Sequence, residues 1–176
     1  MSTTPHIILV NEKDEAIGTM EKMEVHRKAL LHRAFSVFIF NDKGEMLLQR
    51  RSLKKYHSGG LWTNACCSHP FPEEGTMEAA IRRTKEELGI HVKLKSAFSF
   101  VYKAALDNEL TEHEFDHVFI GTYNGSLKPD PNEVGDYAYL DMNYLEKHIN
   151  QFPEKYTIWF KIAFPQLREY MRNHPQ

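Results

Sequence analysis

The sequence predicts an α+β domain, mixed in its order of strands and helices, and three observations carry that prediction. Short runs rich in β-branched and aromatic residues, bounded by turn residues, recur between Ile7 and Leu140. A single segment of helical periodicity, Thr76 to Leu88, sits among them. Two further helical segments fill the tail. Strands surrounding a central helix in mixed order describe one α+β domain.

Each element has a local reason. Ile7–Val10 and Ala16–Met20 flank Asn11-Glu12-Lys13-Asp14-Glu15 and read as an N-terminal hairpin. Phe35–Phe40 is a β-rich run, Asn41-Asp42-Lys43-Gly44 a turn, and Glu45–Arg50 the returning strand. Leu53–Gly60 is mostly polar and ends in Gly59-Gly60, which makes it a loop. Thr76 is expected to cap a helix that runs to Leu88, and Gly89 to end it in a left-handed conformation. Met77, Ala80, Ile81, Thr84 and Leu88 make its less polar stripe. Val92–Tyr102 and Glu112–Tyr123 read as strands parted by a polar loop. Asn124-Gly125-Ser126 and Pro129-Asp130-Pro131-Asn132 mark turns before a short strand, Tyr137–Leu140. The tail, Asn143 to Met171, holds two helices parted near Pro153, and Pro165 is expected to kink or shorten the second.

With 176 residues the chain is long enough for one domain with a real core. Its 41% hydrophobic and 26% charged residues are ordinary for a soluble globular protein. A formal charge of −2 offers no basic field for nucleic acid. The stretch Met1–His6 is polar, with no apolar core of a signal peptide, and no apolar run is long enough to span a bilayer. Cys66 and Cys67 are adjacent, a poor fit to disulfide geometry, so a reducing cytoplasm is the default reading.

Five groups of residues could carry chemistry. The run Trp62-Thr63-Asn64-Ala65-Cys66-Cys67-Ser68-His69-Pro70 sets a thiol two residues before a histidine. Beside a metal or a cation Cys67 would favour its thiolate and act as a base, whereas Cys66 reads as a small buried hydrophobe. His26, His32, His69, Glu112 and Glu114 suit a divalent metal, with Zn²⁺, Mn²⁺ and Mg²⁺ all compatible. Strand periodicity puts Glu112 and Glu114 on one face, where they repel unless a cation or proton intervenes. The bland alternative is that both face solvent. Arg82, Arg83, Glu86 and Glu87 either form ordinary ion pairs along the helix or let Glu87 hold Mg²⁺ against substrate phosphates. Lys22, Arg51, Lys55 and Arg83 are surface charges unless folding gathers them into a diphosphate clamp. Tyr102 and Trp159 are core aromatics unless a ring face meets a developing cation, worth about 0.5–2 kcal/mol.

Taken together, Trp62–Pro70, Arg82–Ile90 and Glu112-His113-Glu114 resemble the type 1 isopentenyl-diphosphate isomerases, a family within the Nudix superfamily, and the resemblance spans about Ile7 to Trp159. The Nudix pattern falls on Ser68, Glu74, Arg82, Arg83, Thr84, Glu86, Glu87, Gly89 and Ile90. Ser68 stands for its first glycine, Thr84 for an aliphatic residue, and Arg83 for a glutamate that hydrolases are expected to use. The resemblance implies a single Nudix-like domain over residues 1–176, a mixed sheet with flanking helices. It implies an isomerase that turns isopentenyl diphosphate into dimethylallyl diphosphate. His26, His32, His69, Glu112 and Glu114 would bind the catalytic metal (Mn²⁺, Zn²⁺ or Mg²⁺). Cys67 and Glu114 would be the acid/base pair, with Tyr102 supporting the glutamate. Glu87 would bind Mg²⁺ with the diphosphate, and Lys22, Arg51, Lys55 and Arg83 would contact it. Trp159 would cover the hydrocarbon. A small-molecule diphosphate is then the partner of a cytoplasmic monomer, with no nucleic acid and no membrane. Two rivals remain: a Nudix pyrophosphohydrolase, and a metal-stabilised binding domain with Cys66, Cys67 and His69 on structural zinc.

Overall fold

The computed structural model describes residues 4–175; residues 1–3 and Gln176, to which the single-domain reading and the polar N-terminal stretch also extend, lie outside them. β1 (His6–Val10) and β2 (Ala16–Glu21) form the expected hairpin, with Ile7 opposite Met20. A six-residue helix unforeseen in the sequence, α1 (Lys22–Arg27), follows at once. The Glu21 carboxylate caps it by accepting from the backbone N–H groups of Met23 and Glu24, both at 2.9 Å. It is too short to show apolar periodicity, and its local signal is that cap.

The centre of the sheet is β3 (His32–Phe40), which runs parallel to β8 (Thr111–Thr122) from His32 opposite Glu114 to Phe40 opposite Thr122. This pairing explains why β3 begins at His32 rather than Phe35. The other edge of β3 is shared along its length by Leu9 of β1, by β6 (Cys66–Ser68) and by β4 (Met46–Arg51). β7 (Leu94–Ala105) pairs antiparallel with β8. β4 lies between β5 (Trp62–Asn64) and β9 (Val134–Leu140), so the mixed sheet branches and curls. β9 starts at Val134, earlier than the expected Tyr137, because Arg51 supplies it a partner. Leu53–Gly60 is a loop as expected; Ser58 N–H donates to Asp107, and Asn108 Nδ2 donates to Tyr56 O, tying it to the β7–β8 turn.

Alternation along the strands divides the core in two. Phe35, Val37 and Ile39 of β3 pack with Leu47, Phe119 and the Ala79, Ala80 and Leu88 side of α2 (Thr76–Leu88). Phe38 and Phe40 pack on the opposite face with Val118, Ile120, α3 (Met142–Gln151) and α4 (Ile158–Asn173). The N-cap of α2 is Gly75, not Thr76, which is the first helical residue and makes no side-chain cap bond. A side chain at Gly75 would collide with the Glu78 carboxylate folded over it. Gly89 is left-handed as expected, at φ +69°. α4 runs through Pro165 to Asn173 instead of ending early. Its buried Phe160, Ala163, Phe164 and Leu167 outweigh one lost backbone bond.

Candidate active site

The period of two along β8 places Glu112, Glu114 and Asp116 on one face, all buried. Register carries that face sideways: Glu114 lies opposite His32 on β3 and Tyr102 on β7, and Ser36 lies opposite Cys67 on β6. Cys66 and Cys67 therefore point to opposite faces, Cys66 into the α2-side core and Cys67 toward the α4 side. The three-ligand zinc site of Cys66, Cys67 and His69 is excluded by this alternation.

His26, His32, His69 and Glu112 bring one ligand atom each to within 4.8 Å of one another. His26 Nδ1–H donates to Lys22 O at 2.6 Å, and His32 Nδ1–H donates to Leu30 O at 2.9 Å. Those bonds fix the tautomers and leave the Nε2 atoms turned inward. His26 Nε2 is 3.2 Å from Glu112 Oε2, and His32 Nε2 is 3.2 Å from His69 Nε2. Glu112 Oε2 is buried and finds no well-aligned donor. Acceptors facing acceptors in a dry site are what a divalent cation resolves, so the residues fit a metal. Glu114 stands at the rim, with Oε1 3.9 Å from His69 Nε2.

The electrostatics follow from burial and crowding. Burial pushes the Cys67 thiol up to about 12, assisted by the Asp116 charge, and the thiol donates to Asn64 Oδ1 at 3.0 Å. With no metal or cation beside it, Cys67 is therefore a neutral thiol. Burial and the neighbouring Glu112 charge raise Glu114 well above the usual carboxylate range. Burial works against ionised Glu112 too, but its contact with Glu114, which keeps the proton of the pair, outweighs it and holds Glu112 low. Burial, then Glu114, raises the Tyr102 phenol. Burial and the His32 ring drive His69 toward its neutral form.

The dispersed cations converge. Lys22, Arg51, Lys55 and Arg83 all line one cleft with Cys67, His69, Glu87, Tyr102, Glu112, Glu114 and Trp159, about 510 Å³ including its open mouth. His26 and His32 are fully buried and meet it through Glu112 and His69. Glu133 partly balances the cations, at 2.6 Å from Lys55 Nζ and 3.4 Å from Arg83 Nη2. Arg51 lies 5.1 Å from the Trp159 ring. Glu87, buried in the last turn of α2, accepts from Arg83 Nη2 at 2.8 Å and from Gln49 Nε2 at 2.9 Å. Arg82 and Glu86 form the ordinary i,i+4 helix pair, at 3.3 Å.

Several site residues escaped the sequence reading. His57, in the loop read as merely polar, puts Nε2 3.7 Å from Glu112 Oε1 and its ring 5.7 Å from Trp159. Burial, then Arg51, pushes its pKa down to about 3. Asp116 was findable, because it continues the alternation of Glu112 and Glu114. Ser36 donates to Asp116 Oδ2 at 2.7 Å and lies 3.5 Å from Cys67 Sγ, but nothing local marks it.

A model of the NUDIX domain matches residues 30–160. An isopentenyl-diphosphate Delta-isomerase 1 of Aromatoleum aromaticum is 48% identical over 161 residues, covering 92% of this chain and 91% of that protein. An isopentenyl-diphosphate Delta-isomerase of Serratia proteamaculans is 47% identical over 154 residues, covering 88% and 86%. Among solved structures, a MutT protein from Methanosarcina mazei Go1 matches with a TM-score of 0.65 at 23% identity, over 83% of this chain and 96% of that one. A MutT NUDIX hydrolase from Burkholderia pseudomallei matches with a TM-score of 0.61 at 21% identity, over 77% and 97%. The two structures support the fold, and the two isomerases the branch within it. This chain belongs to the Nudix family and, within it, to the isopentenyl-diphosphate Delta-isomerases.

Proposed function

We propose that this chain interconverts isopentenyl and dimethylallyl diphosphate by adding a proton at one end of the allylic unit and removing one at the other. The observation that carries this reading is the single cleft in which the half-buried Cys67 thiol and the buried Glu114 carboxyl meet four cations and the Trp159 ring. One of the pair protonates the terminal alkene carbon, and the other takes a proton from the carbon across the developing tertiary cation, so no proton is gained or lost overall. Trp159 presents its face to that cation, and Tyr102 supports Glu114. Lys22, Arg51, Lys55 and Arg83 hold the diphosphate, with Arg51 and Arg83 offering forked donors. Water has to be kept from the reacting carbons, because it would capture the cation as an alcohol. His26, His32, His69 and Glu112, with Glu114 at the rim, would hold Mn²⁺, Zn²⁺ or Mg²⁺, and Glu87 an Mg²⁺ shared with the diphosphate. When bound, the ions neutralise the crowded carboxylates and phosphate oxygens. The reading places a monomer in the cytoplasm, where its free thiols persist.

Arg83 in place of the hydrolase glutamate favours isomerisation over cleavage. Phosphorus NMR of isopentenyl diphosphate with the protein and Mg²⁺ plus Mn²⁺ tests this choice. The expected spectrum keeps both phosphorus atoms as an organic diphosphate while an acid-labile product accumulates. Free phosphate or a monophosphate would make the chain a hydrolase instead.

A further inference from the structure

Between Cys67 and Trp159 lies a chain of buried hydrogen bonds in which the two middle members have no spare capacity. Asn64 is fully buried, and its Nδ2 donates to Val37 O and Cys66 O, each at 3.0 Å. Both amide hydrogens are thereby used, which fixes Oδ1 on the other side. Oδ1 accepts from Thr63 Oγ1 at 2.9 Å and from Cys67 Sγ at 3.0 Å. Thr63, also buried, is saturated in the same way. Its hydroxyl donates to Asn64 and accepts from Trp159 Nε1 and Thr157 Oγ1, each at 3.0 Å. An indole N–H only donates, so the proton order runs one way from Trp159 through Thr63 to Asn64.

We infer that Thr63 and Asn64 are positioning residues: they form a rigid bridge that sets the Cys67 sulfur and the Trp159 ring at fixed places on the walls of one cleft. The inference rests on the reading that Cys67 and Trp159 face the reacting carbons. Backbone geometry supports the rigidity. Thr63 and Asn64 lie on β5, Cys67 on β6 and Trp159 on α4, and Thr157 N–H donates to Trp62 O at 3.0 Å, pinning α4 to the same strand. The bridge therefore couples three elements at the point where the sheet branches. A fully satisfied buried network of this kind specifies one arrangement, and its partial loss leaves donors without partners. Misplacing an acid or a cation-facing ring by about 1 Å costs up to about a hundredfold in rate. None of the hydrogen bonds of Thr63 and Asn64 goes to Lys22, Arg51, Lys55 or Arg83, and the bridge reaches that clamp only through the Trp159 ring beside Arg51, so its loss is expected chiefly in kcat.

Thr63→Val keeps the shape and removes the hydroxyl, while Thr63→Ser keeps the hydroxyl and removes the methyl. With isopentenyl diphosphate as the probe, Thr63→Val is expected to lose about tenfold to a hundredfold in kcat with KM changed by less than about threefold. Thr63→Ser is expected to restore kcat to within about threefold of the parent. In ¹H–¹⁵N NMR the Trp159 indole N–H resonance moves upfield in Thr63→Val and returns in Thr63→Ser. Should Thr63→Val fail to fold, Thr63→Ala, which buries no methyl against the indole N–H, is measured in the same way. Parental kcat in the hydroxyl-free variant, or a loss that Thr63→Ser does not restore, overturns the bridge. Cys67→Ala assayed alongside separates the two claims: if it is inactive and Thr63→Val is fully active, only the bridge fails. If Cys67→Ala is itself active, the assignment of Cys67 fails and the bridge with it.

Discussion

Cys67 is half-buried and Glu114 buried, and both are held toward their protonated forms, Cys67 chiefly by desolvation and Glu114 by desolvation and then Glu112. Side chains that each carry a transferable proton suit a reaction that adds one proton and removes another. Cys67→Ala and Glu114→Gln are each expected to lower kcat by about a hundredfold to ten-thousandfold, the usual range for a lost acid/base group. Circular dichroism and thermal melting should show both variants folded; near-parental turnover in either would remove that residue from the pair. At this scale the site was legible where local pattern and geometry coincide. Glu112 and Glu114 share a face because strand residues alternate, and Cys67 and His69 sit in one short motif. Ser36 and Gln49 were not legible, since Ser36 meets Asp116 only across the sheet and Gln49 meets Glu87 only where α2 packs on it.

At the scale of elements, α2 delivers Glu87 and Arg83, and its end is set by Gly89. A side chain there would come within 2.5 Å of Lys128 O, and φ is +69°. Gly89→Ala is therefore expected to destabilise the fold by more than about 1 kcal/mol, or about 2–4 °C or more in Tm for a chain of this size. An unchanged melting temperature would mean that the backbone there relaxes freely. Phe160, on α4, is fully buried against the sheet. Phe160→Ala is expected to cost about 3–5 kcal/mol by denaturant unfolding, with Trp159 loosened as a consequence. The sequence revealed α2 through its apolar stripe and glycine stop. It did not reveal α1, only six residues long, nor the first turn of β3, whose strand character comes from pairing with β8. Gly75 displaced Thr76 as the cap because Glu78 fills the space over it.

At the scale of the whole molecule, the cleft gathers residues from Lys22 to Trp159, nearly the length of the chain. Four scattered cations converge there because the curled sheet brings α1, β4, its following loop and α2 to one end, a juxtaposition that no sequence spacing encodes. Among the described residues no helix is long and apolar enough to cross a membrane. The inward-turned Nε2 atoms of His26 and His32 make the fold itself sensitive to cations. Adding Mn²⁺ or Zn²⁺ at about a hundredfold over its Kd should raise stability by about 2.7 kcal/mol, read as a higher Tm. In His26→Ala that rise should shrink or vanish; an equal rise would place the ion elsewhere. The central claim is that protons are exchanged with the allylic unit while the diphosphate stays attached. Proton NMR of isopentenyl diphosphate incubated with the protein, Mg²⁺ and Mn²⁺ in D₂O tests it most directly. The predicted result is the growth of dimethylallyl methyl signals with deuterium incorporated into the new methyl group. Unchanged substrate, or product methyls free of deuterium from the first turnovers, would contradict it.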